Sequence, residues 1–234
     1  MSERPLLCIE SATAVASVGV AGPAGVLASR WLREKGAHAE QMYAAIERVL
    51  AEAGCGLREL AAIAVGLGPG SFIGVRIAVA TAKGLALGAG LPLIGVSSLA
   101  ALALSAGRSG RIAVAVDAKK GQVYAGIYDV TAADRAPATV IEACALDPAP
   151  CAQLLAGRGP IAALVGDGSA RYAEAFAPVV AIPRLLVEPQ PAALYALAAD
   201  RLAGCDFDDL AALKPVYARR SEAEEKRLAA GKPR

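Results

Sequence analysis

The sequence predicts an α/β protein of two related halves, each built on a mixed β-sheet flanked by helices. Three observations point there. Two stretches, one at the start and one beginning near residue 112, read as meanders of short strands joined by tight turns. Each meander leads into strand–helix units, among them the wholly apolar run Ala61–Leu67, the kind of strand buried inside a parallel sheet. The 234 residues are 56% apolar and 20% charged, enough for one large core or two small ones. The halves repeat an order of elements, not a sequence.

In chain order, Leu6–Ser11 is an apolar strand and Val15–Ala21 a second. The turn Ala21–Gly25 leads to a third, Val26–Leu32. A polar loop, Arg33–Ala37, precedes a helix over Ala39–Ala53, where Met42, Ile46, Val49, Leu50 and Ala53 recur at helical spacing and Gly54 stops it. After Ala61–Leu67 comes the sharp turn Gly68-Pro69-Gly70-Ser71, whose serine can cap the helix Phe72–Leu87. Strand Leu91–Val96 follows, and Ser97 or Ser98 caps a helix ending near Gly107. Arg108-Ser109-Gly110 is the junction that divides residues 1–107 from 108–234.

The second half opens with Ile112–Val116, ending at Asp117. The turn Ala118–Gly121 hands over to Gln122–Tyr128, and Val140–Cys144 is a third strand. A helix near Cys151–Ala156, the strand Ile161–Val165 and the turn Gly166-Asp167-Gly168-Ser169 follow. Helices are expected at Ala170–Phe176 and at Pro191–Ala203, the latter started by proline and stopped by Gly204.

Phe72–Leu87 is the most informative element. Ile73, Ile77, Ala80, Gly84 and Leu87 form a continuous seam, and Gly74, Ala78, Ala82 and Ala86 a stripe of small residues. Only Arg76, Thr81 and Lys83 are polar. A helix apolar nearly all round is covered on both sides. The second cover is another part of this chain or another subunit. Tyr43 and other apolar residues on the Ala39–Ala53 helix favour the subunit.

Composition excludes several classes. With one histidine, His38, and five dispersed cysteines without a CxxC pair, no zinc or iron site and no credible triad is expected. The cysteines read as reduced and buried. Net charge is +2, too little to announce a nucleic-acid binder. Lys214–Arg234 is a basic tail, read as solvated, with contact to RNA phosphates as the lesser reading. Mean hydropathy is +0.46, mostly from alanine. The uncharged run Gly84–Gly107 is long enough to span a bilayer, but its glycines, Pro92 and serines divide it, so no membrane span is expected. No secretory signal is read at the start, and a cytoplasmic location is expected.

Two glycine turns invite a phosphate, since helix N-termini attract anions. Gly68–Gly74 has neither Walker nor dinucleotide spacing and reads as a tight turn. Gly166–Ser169 reads equally as a nucleotide turn or as a turn with a helix cap. Glu10-Ser11 and Asp117 end the first strands of the two halves, where paired acids would suit a metal–phosphate cleft.

The segment GLGPGSFIGVRIAVATAKGLALGAGLPLIGVSSLAALA (Gly66–Ala103) closely resembles the bacterial TsaB family of tRNA threonylcarbamoyladenosine biosynthesis proteins. LLCIESAT, VDAKKGQVYAGIYD (Val116–Asp129), PVYARR and the position of His38 ahead of a helix agree. The resemblance implies two actin-like, ribonuclease-H-like halves of the sugar-kinase-like superfamily. It implies a non-catalytic paralogue that binds the catalytic subunit TsaD as a heterodimer or heterotetramer. With the ATPase TsaE they place a threonylcarbamoyl group on the adenosine beside the anticodon of tRNAs reading codons that start with A. ATP and a metal ion belong to TsaD. For this chain it implies no cofactor, a homodimer when alone, tRNA contact through the complex and no membrane.

The TsaD motif HxxxH is absent from this chain. The implied partner surface uses Met42, Tyr43, Ile46, Phe72, Ile73, Arg76, Ile77, Ala80, Lys83 and Gly84. Glu10, Ser11, Asp117, Gly166, Asp167 and Gly168 would line a vestigial nucleotide cleft. Glu10 stands where the family usually has Asp, and Ile73 where it has Thr. The rival expectation is an actin-like, ATP-dependent phosphotransferase using that cleft. A peptidase, suggested by older names in the family, has no metal site or nucleophile to support it.

Overall fold

Two five-stranded sheets carry the chain, and they share one topology. The structure, a computed structural model, describes residues 4–33, 38–179 and 181–218. Most of the loop read at Arg33–Ala37, and the tail from residue 219, lie outside the described residues.

In the first sheet, β1 (Leu6–Glu10), β2 (Ala16–Gly22) and β3 (Gly25–Leu32) form an antiparallel meander, and β4 (Ala62–Gly66) and β5 (Leu93–Val96) add in parallel on the other side of β1, in the order β3-β2-β1-β4-β5. In the second, β6 (Gly110–Lys119), β7 (Gln122–Val130) and β8 (Ala138–Leu146) form the meander, and β9 (Ala163–Val165) and β10 (Arg184–Leu185) extend it in parallel, in the order β8-β7-β6-β9-β10. The duplicated mixed-sheet architecture expected from the order of elements is present.

Helices fill three layers around the sheets. α1 (His38–Glu52) and α2 (Phe72–Ala89) cover the outer face of the first sheet, packing Met42, Ile46, Val49, Val75, Ala78 and Ala82 against Leu7, Ile9, Val18, Ile63 and Val65. α3 (Ser98–Ser105) and α6 (Pro191–Ala203) lie between the sheets. α4 (Pro148–Ala156) covers the far face of the second sheet, and the four-residue α5 (Gly168–Arg171) packs on β6. Burial of apolar faces at each interface supplies the main favourable term. β1 and β4 are buried on both faces, which is why the run at Ala61–Leu67 shows no alternation.

Local signals set the helix ends. The Ser71 hydroxyl accepts from the Gly74 amide at 3.2 Å and starts α2, and Gly90, in the left-handed region at φ 66°, ends it. Ser97 caps α3, its hydroxyl accepting from the Ala100 amide at 3.3 Å.

The first sheet takes its strands from residues 6–96 and the second from residues 110–185, but the helices are not divided in the same way. α6 packs on β1, β2, β4 and β5, so it returns to the first half. Gly19 makes room for it: a Cβ there would stand 2.6 Å from Pro191 Cγ. The chain after α6 stays with the first half. The Asp208 amide donates to the Leu93 carbonyl (2.9 Å), and its carboxylate accepts from the Gly95 amide (2.7 Å), covering the free edge of β5. The Val216 amide donates to the Leu67 carbonyl at 2.7 Å.

Three elements differ from expectation. The helix read at Ala170–Phe176 is only α5, followed by turns and a single 3₁₀ turn at Ala177–Val179. The two-residue β10 is too short to leave a periodic signal. Asp117 lies inside β6, not at its end, because a bulge between Asp117 and Lys119 lets the strand continue.

Candidate functional site

Two features stand out on the first half and its border with the second: an uncovered face of α2, and a cleft between the halves.

α2 buries one side only. Gly74, Val75, Ala78, Val79, Ala82 and Ala86 face the sheet. The small stripe is there because α2 approaches the β1–β2 loop closely: a Cβ on Gly74 would collide with the Ser11 carbonyl oxygen, and one on Gly70 with that of Ala12. The seam read from the sequence points outward. Ile73 is 70% and Leu87 76% exposed, Ala80 and Gly84 are exposed, and Ile77 is half-buried. α2 is the one described helix long and apolar enough to cross a membrane. It is the crossover between the parallel strands β4 and β5.

Of the residues expected on the partner surface, Met42 and Ile46 are corrected. They are 1% and 2% exposed and belong to the core under α1, because their helical spacing marks the face turned to the sheet. Tyr43 is exposed. Phe72, Arg76 and Lys83 are tied to the segment 213–217, whose residues from Lys214 onward the sequence predicts as part of a solvated tail. The Arg76 guanidinium lies 3.7 Å over the Phe72 ring and donates from Nε to the Tyr217 hydroxyl at 2.9 Å. The Phe72 and Tyr217 rings are 5.4 Å apart. Lys83 Nζ donates to the Leu213 carbonyl at 2.9 Å.

A cleft of about 600 Å³ lies between α2 and the β6–β7 hairpin, lined by Thr13, Ser71, Phe72, Ile77, Asp117, Lys119, Tyr124 and Asp167 among others. Of the six residues expected there, only Asp117 and Asp167 line it. Glu10 is buried, its Oε1 accepting from the Ala12 amide at 2.6 Å and its Oε2 lacking a hydrogen bond. Burial pushes its pKa up, against the pull of the Ser98 hydroxyl and the Ala12 and Ser11 amides. Its longer side chain fills the space beside Gly66, where a Cβ would overlap Oε2. Ser11 is buried, and its carbonyl lies against α2 at Gly74. Gly166 and Gly168 serve packing, since a Cβ on Gly168 would stand 2.9 Å from the Ala115 carbonyl oxygen.

Asp117 is already matched by cations. Its Oδ2 meets Lys119 Nζ at 2.7 Å and Arg171 Nε at 3.1 Å, and its Oδ1 accepts from the Lys119 amide (2.9 Å) and the Tyr172 hydroxyl (3.0 Å). Burial opposes its charge, but the Lys119 ammonium and amide and the Tyr172 hydroxyl outweigh it and hold the carboxyl below its usual range. Asp167 Oδ1 accepts from the Asp117 amide at 2.9 Å. Among the described residues no three His, Cys, Asp or Glu side chains converge. This donor set does not fit a divalent ion, whose oxygen ligands need a carboxylate not spent on cations.

The tRNA N6-adenosine threonylcarbamoyltransferase family, TsaD, matches residues 26–224. The chain belongs to the TsaD family. It is 40% identical over 126 residues to the tRNA threonylcarbamoyladenosine biosynthesis protein TsaB of Escherichia coli, an alignment covering 53% of this chain and 54% of that one. It is 56% identical over 69 residues to the tRNA N6-adenosine threonylcarbamoyltransferase of Cereibacter sphaeroides, covering 30% of this chain and 19% of that one. The chain spans about half the length of the E. coli relative. YeaZ from Pseudomonas aeruginosa superposes with a TM-score of 0.76 at 29% identity, covering 92% of this chain and 99% of that one. The resemblance to TsaB read from Gly66–Ala103 thus stands on sequence and fold together.

Within the TsaD family frame, the sequence reading missed Lys119, Arg171, Tyr172 and Tyr217. Lys119 and Tyr217 were in the matching segments VDAKKGQVYAGIYD and PVYARR. Arg171 and Tyr172 reach Asp117 only because β9 pairs with β6, which no local spacing shows.

Proposed function

We propose that the chain is a non-catalytic subunit of a threonylcarbamoyl transferase complex, which docks on TsaD through α2 and supports formation of N6-threonylcarbamoyladenosine beside the anticodon. The observation that carries this reading is the outward seam Ile73-Ile77-Ala80-Gly84-Leu87. A row of apolar and small residues, with a glycine at an exposed helical position, suits close approach by another helix. The cleft argues in the same direction. Its one deep carboxylate, Asp117, is occupied by Lys119 and Arg171, and Glu10 is withdrawn from it. The absence of HxxxH from the sequence leaves metal and ATP to the partner. The seam also fits a second copy, so a homodimer is proposed when TsaD is lacking. TsaE joins the complex, tRNA is contacted through the complex as a whole, and the cytoplasm, where tRNA is modified, is the proposed location.

The test is to mix the purified chain with TsaD of the same organism and measure mass by light scattering after size exclusion. A heteromeric peak that Ala80→Glu abolishes is expected, because the variant would bury an unpaired charge. Normal assembly by that variant would move the interface elsewhere. The phosphotransferase alternative requires saturable, magnesium-dependent ATP binding by the isolated chain, and calorimetry is expected to find none at millimolar ATP.

A further inference from the structure

We infer that the mouth of the inter-lobe cleft is a binding surface for single-stranded RNA, with Phe72 and Tyr217 as the stacking platform and Arg76, Lys119, Lys120 and Arg171 as its phosphate contacts. The inference rests on the family's role in tRNA modification and not on the docking of α2, so either can fail alone.

The platform is built from two distant parts of the chain. Phe72 opens α2 and lines the cleft, while Tyr217 arrives on the segment after α6. Both residues remain about half exposed, at 45% and 47%. Arg76 holds them, over one ring at 3.7 Å and hydrogen-bonded to the hydroxyl of the other. Half-exposed aromatic residues fixed by a guanidinium are a preorganised surface for unpaired bases, which stack on aromatic faces whatever their sequence. A duplex keeps its bases stacked inside and cannot use it.

The opposite wall supplies the charge. Lys119 and Lys120 sit at the tip of the β6–β7 hairpin, both in the left-handed region, at φ 62° and 52°. The side chains of Lys119 and Arg171 are 73% and 58% exposed and share the carboxylate of Asp117; with Lys120 at the hairpin tip, three cations stand against the two carboxylates of Asp117 and Asp167. Cations on both sides of a cleft that carries exposed rings match the chemistry of a single strand, whose phosphates flank its bases. A protein partner is better matched by the uncharged seam of α2.

The experiment is fluorescence anisotropy of the full chain with a labelled anticodon stem-loop RNA, and with a duplex of the stem sequence alone. The stem-loop is expected to bind at least about tenfold more tightly than the duplex. Tyr217→Ala is expected to cost about tenfold on the stem-loop and little on the duplex, and Tyr217→Phe to restore it. Lys120→Glu, on an exposed tip away from the core, is expected to lower the salt slope by roughly 0.7 for each phosphate it no longer neutralises. Equal affinity for stem-loop and duplex would overturn the inference. So would stem-loop affinity unchanged in both Tyr217→Ala and Lys120→Glu. Tyr217→Ala that binds RNA normally but no longer pairs with TsaD would assign the platform to a protein partner, which also overturns it.

Discussion

Glu10 and Gly66 occupy one space: on neighbouring strands β1 and β4, the Glu10 carboxylate fills the volume that a side chain at residue 66 would need. The carboxyl is buried, and its pKa is raised chiefly by loss of water. A native pKa above the unfolded one means the folded state binds more protons. The stabilising contribution is then full below the ordinary glutamate range and is lost as pH rises through the raised value. Glu10→Gln keeps an oxygen for the Ala12 amide and removes the charge. It is expected to raise Tm at pH 7 and to lose that advantage below about pH 4. A thermal melt series across pH checks this. A variant less stable than the parent at pH 7 would show that the charge is accommodated.

The close contact of α2 with the β1–β2 loop predicts a sharp difference between two glycines of one helix. At Gly74 a Cβ meets the Ser11 backbone, which cannot move aside as a side chain can. Gly74→Ala is expected to destabilise by about 1–3 kcal/mol. At Gly84 a Cβ meets nothing within 4 Å. Gly84→Ala is expected to stabilise the isolated chain by up to about 1 kcal/mol, the helix-propensity gain. Urea melts of the two variants give the comparison directly, and equal effects would contradict the packing described.

Asp117 predicts the opposite pH behaviour from Glu10. Burial works against its charge, yet the Lys119 and Tyr172 contacts win and lower its pKa. A lowered native pKa gives stability that is present above the ordinary aspartate range and lost as pH falls through the native value. Asp117→Asn is expected to cost about 1–2 kcal/mol at pH 7, on the scale of charge-assisted hydrogen bonds removed. The difference should shrink at low pH. A penalty that stays constant with pH would mean that the asparagine harms packing and not charge pairing.

How far these arrangements are legible in the sequence depends on their range. The two meanders and the buried β4 can be read because tight turns and an unbroken apolar run are local signals. Gly74, Ala78, Ala82 and Ala86 are legible as a close-packing stripe for the same reason. Which side of α2 stays open is not, since Ile73 and Ile77 look as buriable as Val75 and Val79. The periodicity of α1 is plain, but it does not say which face a partner takes, and Met42 and Ile46 are the residues that turn inward. Two partners of Asp117, Arg171 and Tyr172, come from more than fifty residues away, brought in by parallel pairing. The return of α6 to the first sheet leaves only Gly19 as a trace, a glycine inside a strand that makes sense once Pro191 is seen against it.

The open position of Gly84 gives the cleanest test of the docking surface, because it separates folding from assembly. A large side chain at residue 84 has room in the isolated chain, so Gly84→Arg is expected to fold with Tm within a few degrees of the parent. Against another helix it would hold the backbones apart and bring a charge into an apolar contact. Loss of affinity for TsaD of about a hundredfold or more is expected, the scale of about 3 kcal/mol at a well-packed interface position. Ile73→Ser, at the end of the same seam beside the cleft, removes apolar area without adding charge and is expected to weaken assembly by about tenfold. Calorimetric titration of TsaD with each variant checks the order. Full affinity for Gly84→Arg together with reduced affinity for Ile73→Ser would confine the contact to the N-terminal turns of α2, next to Phe72 and Arg76. Full affinity in both would leave α2 outside the interface.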